Sequence, residues 1–394
     1  MLRRIKGNNI NEITIKAYHE IMHAGRTQKS RNGDIYCINN AFIELTNPRS
    51  RHLYLEGRNS NISAQIAETL WVLAGDDRVS PFLDFFLPRA PDYSDDGVTW
   101  RGAYGPRLYM YDQLEDALGV FINEGIETRR SVIQILLPEL DSDEALSEKY
   151  SLDGTKDRPC NNELVFFCTP NSSGEWELNM NVMQRSGDAL WGALNINTFE
   201  WTVLQELFAQ MLNEAVEETV ILGEYNHLVT NLHIYDNTSK QAKDVLSNYC
   251  GVVHKPDTLV SKNQLDHYDF TKYIDILDNE NHMELIGPKR ISDFKVFFSD
   301  IVGRISQYII ADIESSCAYT ELTELYHDIS DIFKKYGVPE DDNLLTTYIN
   351  TVTSYVSQKK GALRGGVGAN AVCSANRDDD FSKCIAYSKF LITK

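Results

Sequence analysis

"QRSGDALWGALNI", residues 184–196, sets an arginine, a serine and an aspartate in a tight turn and follows them with an asparagine among apolar residues. These side chains differ in hydrogen-bonding power: a guanidinium only donates, a carboxylate only accepts, and a hydroxyl or amide does both. Placed after the strand-like run "EWELNMNVMQ" (175–184), they read as a binding constellation held at a strand end. What surrounds that turn decides the fold.

Upstream, "SVIQILL" (131–137) and "ELVFFC" (163–168) have the composition of strands, and "GDIYCINNAFIEL" (33–45) alternates like one after a turn. Apolar spacing predicts helices over 13–22, 62–75, 112–123 and 197–214, the second stopping at Gly75. Short strands are expected near 219–222 and 228–234, and "PRAPDYSDDGVTWRGAYGPR" (88–107) reads as a long functional loop. Strands and helices are interspersed without regular βαβ alternation, so the fold class is α+β. From about 291 the pattern turns helical, with stretches at 292–315, 319–336 and 342–359. This predicts a domain over 1–290 and a helical C-terminal extension over 291–394. Within it, "KKGALRGGVGANAVCSANRDDD" (359–380) reads as a linker or loop whose glycines lack phosphate-loop spacing.

Composition narrows the function. The 394 residues are 42% hydrophobic, enough for one large core or two smaller ones. A net charge of −19 argues against direct binding of nucleic acid or an anionic membrane, which needs a basic face. The few arginine clusters, "SRNGD" (30–34), "ETRR" (127–130) and "QRSGD" (184–188), then become the places where an anionic ligand would be held. No apolar run approaches the ~20 residues of a membrane helix, and "MLRRIKGNNINEI" lacks a signal-peptide core, so a cytoplasmic protein is expected. Seven scattered cysteines with no CxxC pair imply neither structural zinc nor a disulfide framework. Cys160 in "DRPCNNELVFF", after a proline and before a strand, is either a packing residue or a nucleophile at a pocket mouth.

In order along residues 24–240, "TQKSRNGD", "AETLWVLAGD", "RGAYG", "ETRRSVI", "RPC", "QRSGD" with "LNI", and "HIY" (233–235) resemble the motifs of the thymidylate synthase superfamily. The interval from Glu68 to Tyr104 matches that family without a gap, and the resemblance fades beyond about residue 250. Its members alkylate C5 of pyrimidine nucleotides with methylenetetrahydrofolate, as symmetric dimers. The residue types suit that chemistry on their own terms. C5 of uracil is a poor nucleophile until a thiolate adds across C6, and a thiolate is favoured by nearby positive charge.

The resemblance implies the following roles. Cys160 is the nucleophile, and Arg31, Arg185 and Ser186 bind the phosphate of dUMP. Arg129 and Arg130 reach across a twofold interface into the partner's site; guanidinium forks suit phosphate oxygens. Asn195 pairs with O4 and N3–H of uracil, because an amide both donates and accepts. The loop from Asp188 is one residue shorter than in the family, which leaves Asn197 as the other candidate. His233 and Tyr235 hold the sugar 3′-hydroxyl. Glu68 and Tyr104 work a proton-shuttling water network, for which a partly buried carboxyl with a raised pKa is suited. Asp188 bonds the folate pterin. No metal is implied.

The last step separates methyl from hydroxymethyl products. Ala90 stands where methyl-forming enzymes carry a tryptophan, and Tyr93 where they carry another, while a long helical extension replaces the short apolar carboxyl terminus. Losing a large aromatic opens room for water. The expected product is therefore 5-hydroxymethyl-dUMP, as for the deoxyuridylate hydroxymethylases of bacteriophages, whose setting is the host cytoplasm. The rival readings are a thymidylate synthase that ends in hydride transfer and a non-catalytic binding protein on the same fold.

Overall fold

The computed structural model describes residues 2–53, 55–58, 60–250, 284–311 and 318–360. In chain order they form strand β1 (Arg3–Gly7), helix α1 (Ile10–Ala24), strands β2 (Arg26–Ser30) and β3 (Gly33–Leu45), and helix α2 (Ile62–Leu73). Short helices α3 (Asp84–Phe86), α4 (Ala90–Tyr93) and α5 (Tyr104–Tyr109) precede helix α6 (Gln113–Glu124) and strand β4 (Ser131–Gln134). Helices α7 (Pro138–Asp141) and α8 (Asp143–Tyr150) lead to strands β5 (Asn161–Pro170), β6 (Trp176–Gln184) and β7 (Gly187–Asp188). Helix α9 (Thr198–Ala215), strand β8 (Val220–Tyr235) and helix α10 (Ser239–Cys250) follow, then α11 (Ile291–Ile310), α12 (Ala318–Tyr336) and α13 (Leu344–Lys359). The fold is α+β.

The described residues group into two compact units. Those of Met1–Ser60, Asp116–Leu136 and Cys160–His282 form the first; those of Asn61–Glu115, Leu137–Pro159 and Met283–Lys394 form the second.

The first unit holds a mixed sheet with strand order β1-β3-β8-β6-β5-β4, β2 pairing with β3 and β7 with β8. Strands β6 and β8 run parallel, while β3 and β5 run antiparallel to them. The C-terminal ends of β6 and β8 therefore share one sheet end with the N-terminal ends of β3 and β5. Buried Leu164, Phe166, Leu178, Met180 and Val182 alternate along β5 and β6, and Phe166 stacks on Phe208 of α9 with ring centroids 4.3 Å apart. The cross-strand neighbours Phe42, Leu228 and Met183 are only partly covered, Met183 remaining 37% exposed. Beneath the sheet, Arg51 bonds Glu206, their side chains 0% and 1% exposed, and Arg49 Nε adds a 2.8 Å bond to the same carboxylate.

Two strands were expected where the chain forms the single strand β8. Gly223, between the two expected strands, marks a bulge: a Cβ there would lie 2.6 Å from Asn179 Oδ1, and that oxygen accepts the Glu224 N–H at 2.8 Å. The register against β6 shifts at this point and pairing resumes. The loop expected over 88–107 contains α4 and α5. Helix α11 stops at Ile310, short of 315, because Ala311 turns extended at ψ 133°.

In the second unit every residue of α2 from Ile62 to Leu73 is buried, and α11 and α13 both pack on it. Asn61 caps its start by accepting the Ala64 N–H. Gly105 admits α5 close to α2, since a Cβ there would meet Val72 O at 2.6 Å. Phe86 stacks on Tyr355 of α13 at 5.5 Å, and Lys359 Nζ lies 4.2 Å from the Phe85 ring. Arg101 and Arg107 converge on the buried Asp141. The end of the predicted linker, 361–380, lies outside the described residues.

Removing one member of a buried ion pair leaves the other charged and unpaired, which costs roughly 3–5 kcal/mol. Glu206→Gln is expected to lower unfolding free energy in urea by about that amount, and Arg49→Ala, at the partly exposed edge of the pair, by ~1 kcal/mol. Equal effects of the two substitutions would refute this ranking.

Candidate active site

The antiparallel pairing of Asn161 with Gln184 sets Cys160 and Arg185 opposite each other at the sheet end. Arg185 N–H donates to Cys160 O at 2.9 Å, and its Nη2 lies 3.8 Å from Cys160 Sγ. Cys160 is half-buried and Arg185 exposed. Cys168, further along β5, is different: burial and the Glu218 charge push its thiol up to about 12, which keeps it protonated.

Strand β7 extends this end of the sheet. Gly187 and Asp188 pair with Leu232 and His233, and Ala189 N–H donates to His233 O at 2.7 Å. Glycine is required at 187, where a Cβ would lie 2.7 Å from that of Ala193. Asp188 Oδ1 accepts the Leu190 N–H at 2.8 Å. Burial holds the Asp188 carboxyl above its usual range and the His233 ring below its own, while each charge favours the other. The rings of His233 and Tyr235 meet edge to face at 5.1 Å. Tyr235 pairs with Ile35 at the start of β3, and Arg31 lies exposed in the turn just before that strand. Arg31, Cys160, Arg185, half-buried Ser186, Asp188, His233 and Tyr235 thus gather at one end of the sheet.

Arg129 and Arg130 do not join them. They immediately precede β4, whose first residue, Ser131, pairs with Phe166. Extending that register sets Arg129 beside Cys168, roughly 25 Å along β5 from Cys160 at the usual rise per residue. Both arginines are exposed, and Arg130 Nη1 bonds Glu124 at 2.7 Å.

Asn195 and Asn197 are both buried in the turn that leads into α9. The Asn195 carbonyl accepts the Thr198 N–H. The Asn197 side chain is tied to the strand end: its Oδ1 accepts from Gln184 Nε2 at 3.0 Å, and its Nδ2 donates to Glu200 Oε1 at 2.9 Å. Gln184 and Glu200 escaped the sequence reading, although an asparagine followed three residues later by a glutamate at a helix start is a recognisable pattern. Arg58 was also missed. It is fully buried, donates to Leu190 O, and its guanidinium carbon lies 5.2 Å from the ring of the half-exposed Trp191, behind Asp188.

Glu68 and Tyr104 belong to the second unit. Glu68 sits in the enclosed helix α2, and burial pushes its carboxyl up to about 8. Tyr104 opens α5 and is half-buried. Ala90 is 2% exposed and accepts the Trp100 indole N–H at 2.8 Å through its carbonyl, while Tyr93 is 44% exposed. Trp100 also meets Trp71 edge to face at 5.7 Å.

Among the described residues no group of three His, Cys, Asp or Glu side chains could hold a metal ion, and no helix is long and apolar enough to cross a membrane. The thymidylate synthase family model matches residues 15–286. A deoxyuridylate hydroxymethyltransferase of Delftia phage PhiW-14 is 34% identical over 93% of this chain and 90% of its own length. One of Bacillus phage SP01 is 30% identical over 62% of each chain. A thymidylate synthase of Clostridium beijerinckii is 26% identical over 47% of this chain and 61% of its own.

A carboxyl raised from 4.5 to about 8 binds more protons folded than unfolded, so its stabilising contribution is complete below 4.5 and is lost as pH rises through 8. His52 and His227, held near 3 by burial, act oppositely: their contribution is complete above 6.5 and is lost as pH falls toward 3. Glu68→Gln removes only the first effect. Its stability relative to the parent should climb by up to ~1.4 kcal/mol per pH unit between 5 and 8 and then level off. Urea unfolding across that range checks it; a pH-independent difference would place Glu68 in a solvated setting.

Proposed function

Because the chain belongs to the thymidylate synthase family, we propose that it transfers a one-carbon unit from methylenetetrahydrofolate to C5 of dUMP and finishes with water, giving 5-hydroxymethyl-dUMP. The observation that carries this reading is the Cys160–Arg185 pair at the sheet end, in a chain similar over nearly its whole length to a phage deoxyuridylate hydroxymethyltransferase. Cys160 Sγ adds to C6, and electron density moves to C5 and O4. Arg185 supplies the cation that a thiolate needs and, with Arg31 and Ser186, grips the phosphate. His233 and Tyr235 take the sugar hydroxyl. Asn197 is assigned to the base in preference to Asn195, because its amide is bonded to Gln184 beside the Cys160–Arg185 pair.

The folate supplies an electrophilic methylene carbon. Asp188, a carboxyl raised by burial beside the exposed ring of Trp191, fits the polar edge and flat face of a pterin. Glu68, protonated at neutral pH by its burial, suits general acid work at O4, and Tyr104 serves the same proton transfers. After C5 has gained the carbon, lost its proton and released the amine, the nucleotide carries an exocyclic methylene. Water adds there, and the C6–S bond breaks as the C5–C6 double bond returns. The small side chain of Ala90, where methyl-forming relatives carry tryptophan, is the feature that favours water over hydride. The half-exposed stripe of Phe42, Leu228 and Met183 suits a twofold sheet-to-sheet interface. Across it Arg129 and Arg130 of the partner subunit complete the phosphate site.

Incubated with dUMP and methylenetetrahydrofolate, the protein is expected to add CH2O to the nucleotide by mass spectrometry, with no dihydrofolate absorbance. Cys160→Ala should abolish this. A gain of CH2 with dihydrofolate would identify a thymidylate synthase instead, and no covalent complex with 5-fluoro-dUMP would identify a non-catalytic protein.

Shared sites make a second prediction. Cys160→Ala and the Arg129→Ala/Arg130→Ala double variant should each be inactive, yet random pairing of the two should restore about a quarter of parental activity, since half the dimers are mixed and each has one intact site. No recovery on mixing would show that each chain works alone.

A further inference from the structure

We propose that Glu200 sets base selectivity by locking the orientation of the Asn197 amide; this rests on the reading above that Asn197 meets the base. An amide alone does not choose between pyrimidines. With its carbonyl toward N3 and its NH2 toward position 4 it fits uracil, whose N3–H donates and whose O4 accepts. Turned over, it presents NH2 to N3 and the carbonyl to position 4, which fits cytosine, whose N3 accepts and whose amino group donates. The two ends of the amide are nearly the same size, so packing does little to separate the orientations. The choice falls to hydrogen-bonded neighbours.

Two neighbours hold this amide, one at each end. Asn197 Nδ2 donates to Glu200 Oε1 at 2.9 Å, and Asn197 Oδ1 accepts from Gln184 Nε2 at 3.0 Å. Gln184 and Glu200 are each 1% exposed and Asn197 6%, so water is a poor substitute for either partner. Gln184 is itself an amide and could turn over together with Asn197. Glu200 in its carboxylate form cannot: its oxygens accept only, and in that form it fixes the sign of the whole chain of bonds. Turning Asn197 would press its Oδ1 against the Glu200 oxygen and leave both without a proton between them. In the held orientation each end of the amide keeps one further valence, an N–H on Nδ2 and a lone pair on Oδ1. Those are the two that uracil O4 and N3–H require. Glu200 acts through Asn197 and is a positioning residue.

The test is competition binding of dUMP and dCMP, with turnover of each by mass spectrometry, in the full-length protein. Glu200→Gln offers either an acceptor or a donor to Asn197, so the ratio of dCMP to dUMP dissociation constants should fall at least tenfold. A purely structural role would weaken both nucleotides alike and leave the ratio where it was, which would overturn the proposal. Should Glu200→Gln not fold, the exchange Gln184→Glu with Glu200→Gln keeps the composition of the trio and moves the carboxylate to the other end of the amide. Preference should then shift toward dCMP, and an unchanged preference overturns the lock. Asn197→Asp separates the two levels. If it leaves the ratio unchanged, Asn197 does not meet the base and the underlying reading fails; if it moves the ratio while the Glu200 variants do not, only the lock fails.

Discussion

The antiparallel pairing of β5 with β6 is the constraint on which the site depends. It brings the residue before one strand against the residue after the other, so Cys160 and Arg185 meet although 24 residues separate them. Backbone bonds hold that register, and the only freedom left to the sulfur and the guanidinium lies in their own rotamers. The parallel run of β6 and β8 then adds the end of β8, with His233 and Tyr235, to the same edge. A one-residue slip in either pairing would turn half of these side chains to the other face. The buried alternation of Leu178, Met180 and Val182 against α9 works against such a slip.

The loop between β7 and α9 shows how polar groups are kept in a mostly apolar interior. Several buried members are tied by bonds: Asp188 takes a backbone N–H, Arg58 gives to the Leu190 carbonyl through one nitrogen, and Gln184, Asn197 and Glu200 form a chain. An unpaired polar group there would cost about 1–3 kcal/mol, so these bonds specify one loop conformation and disfavour others. Rigidity of this kind is what recognition of a flat heterocycle asks for, since a loop ordered only on binding would spend part of its affinity on being ordered.

Much of this was legible in the sequence. The strand at 33–45 was bounded correctly because its alternation is long and a glycine starts it. The Cys160, Arg185, Asp188 and His233 cluster was legible through motif order. Strand direction was not legible, and it alone decides that Arg129 and Arg130 lie at the far sheet end from Arg185 despite the similar look of the three motifs. The continuity of β8 through Gly223 was not legible either, because a glycine that ends a strand and one that accommodates a bulge look alike until Asn179 is seen across the sheet. The choice between Asn195 and Asn197 could not be made by counting along a loop of altered length; a bond from Gln184, eleven to thirteen residues away, bears on it.

Helix α2 raises a separate question of enclosure. A helix buried on every side needs neighbours around its whole circumference, and within the second unit α5, α11 and α13 supply them. The family match ends at residue 286, so α11 and α13 come from chain beyond it, in a stretch that the Delftia phage relative, aligned over 93% of this chain, also covers in large part. The helix they enclose carries Glu68, whose raised pKa has burial as its cause. Water admitted along α2 would stabilise the carboxylate and return that pKa toward 4.5. The packing of α11 and α13 on α2 therefore helps keep a carboxyl protonated at a pH where an exposed one would be charged, without contributing a polar atom to it.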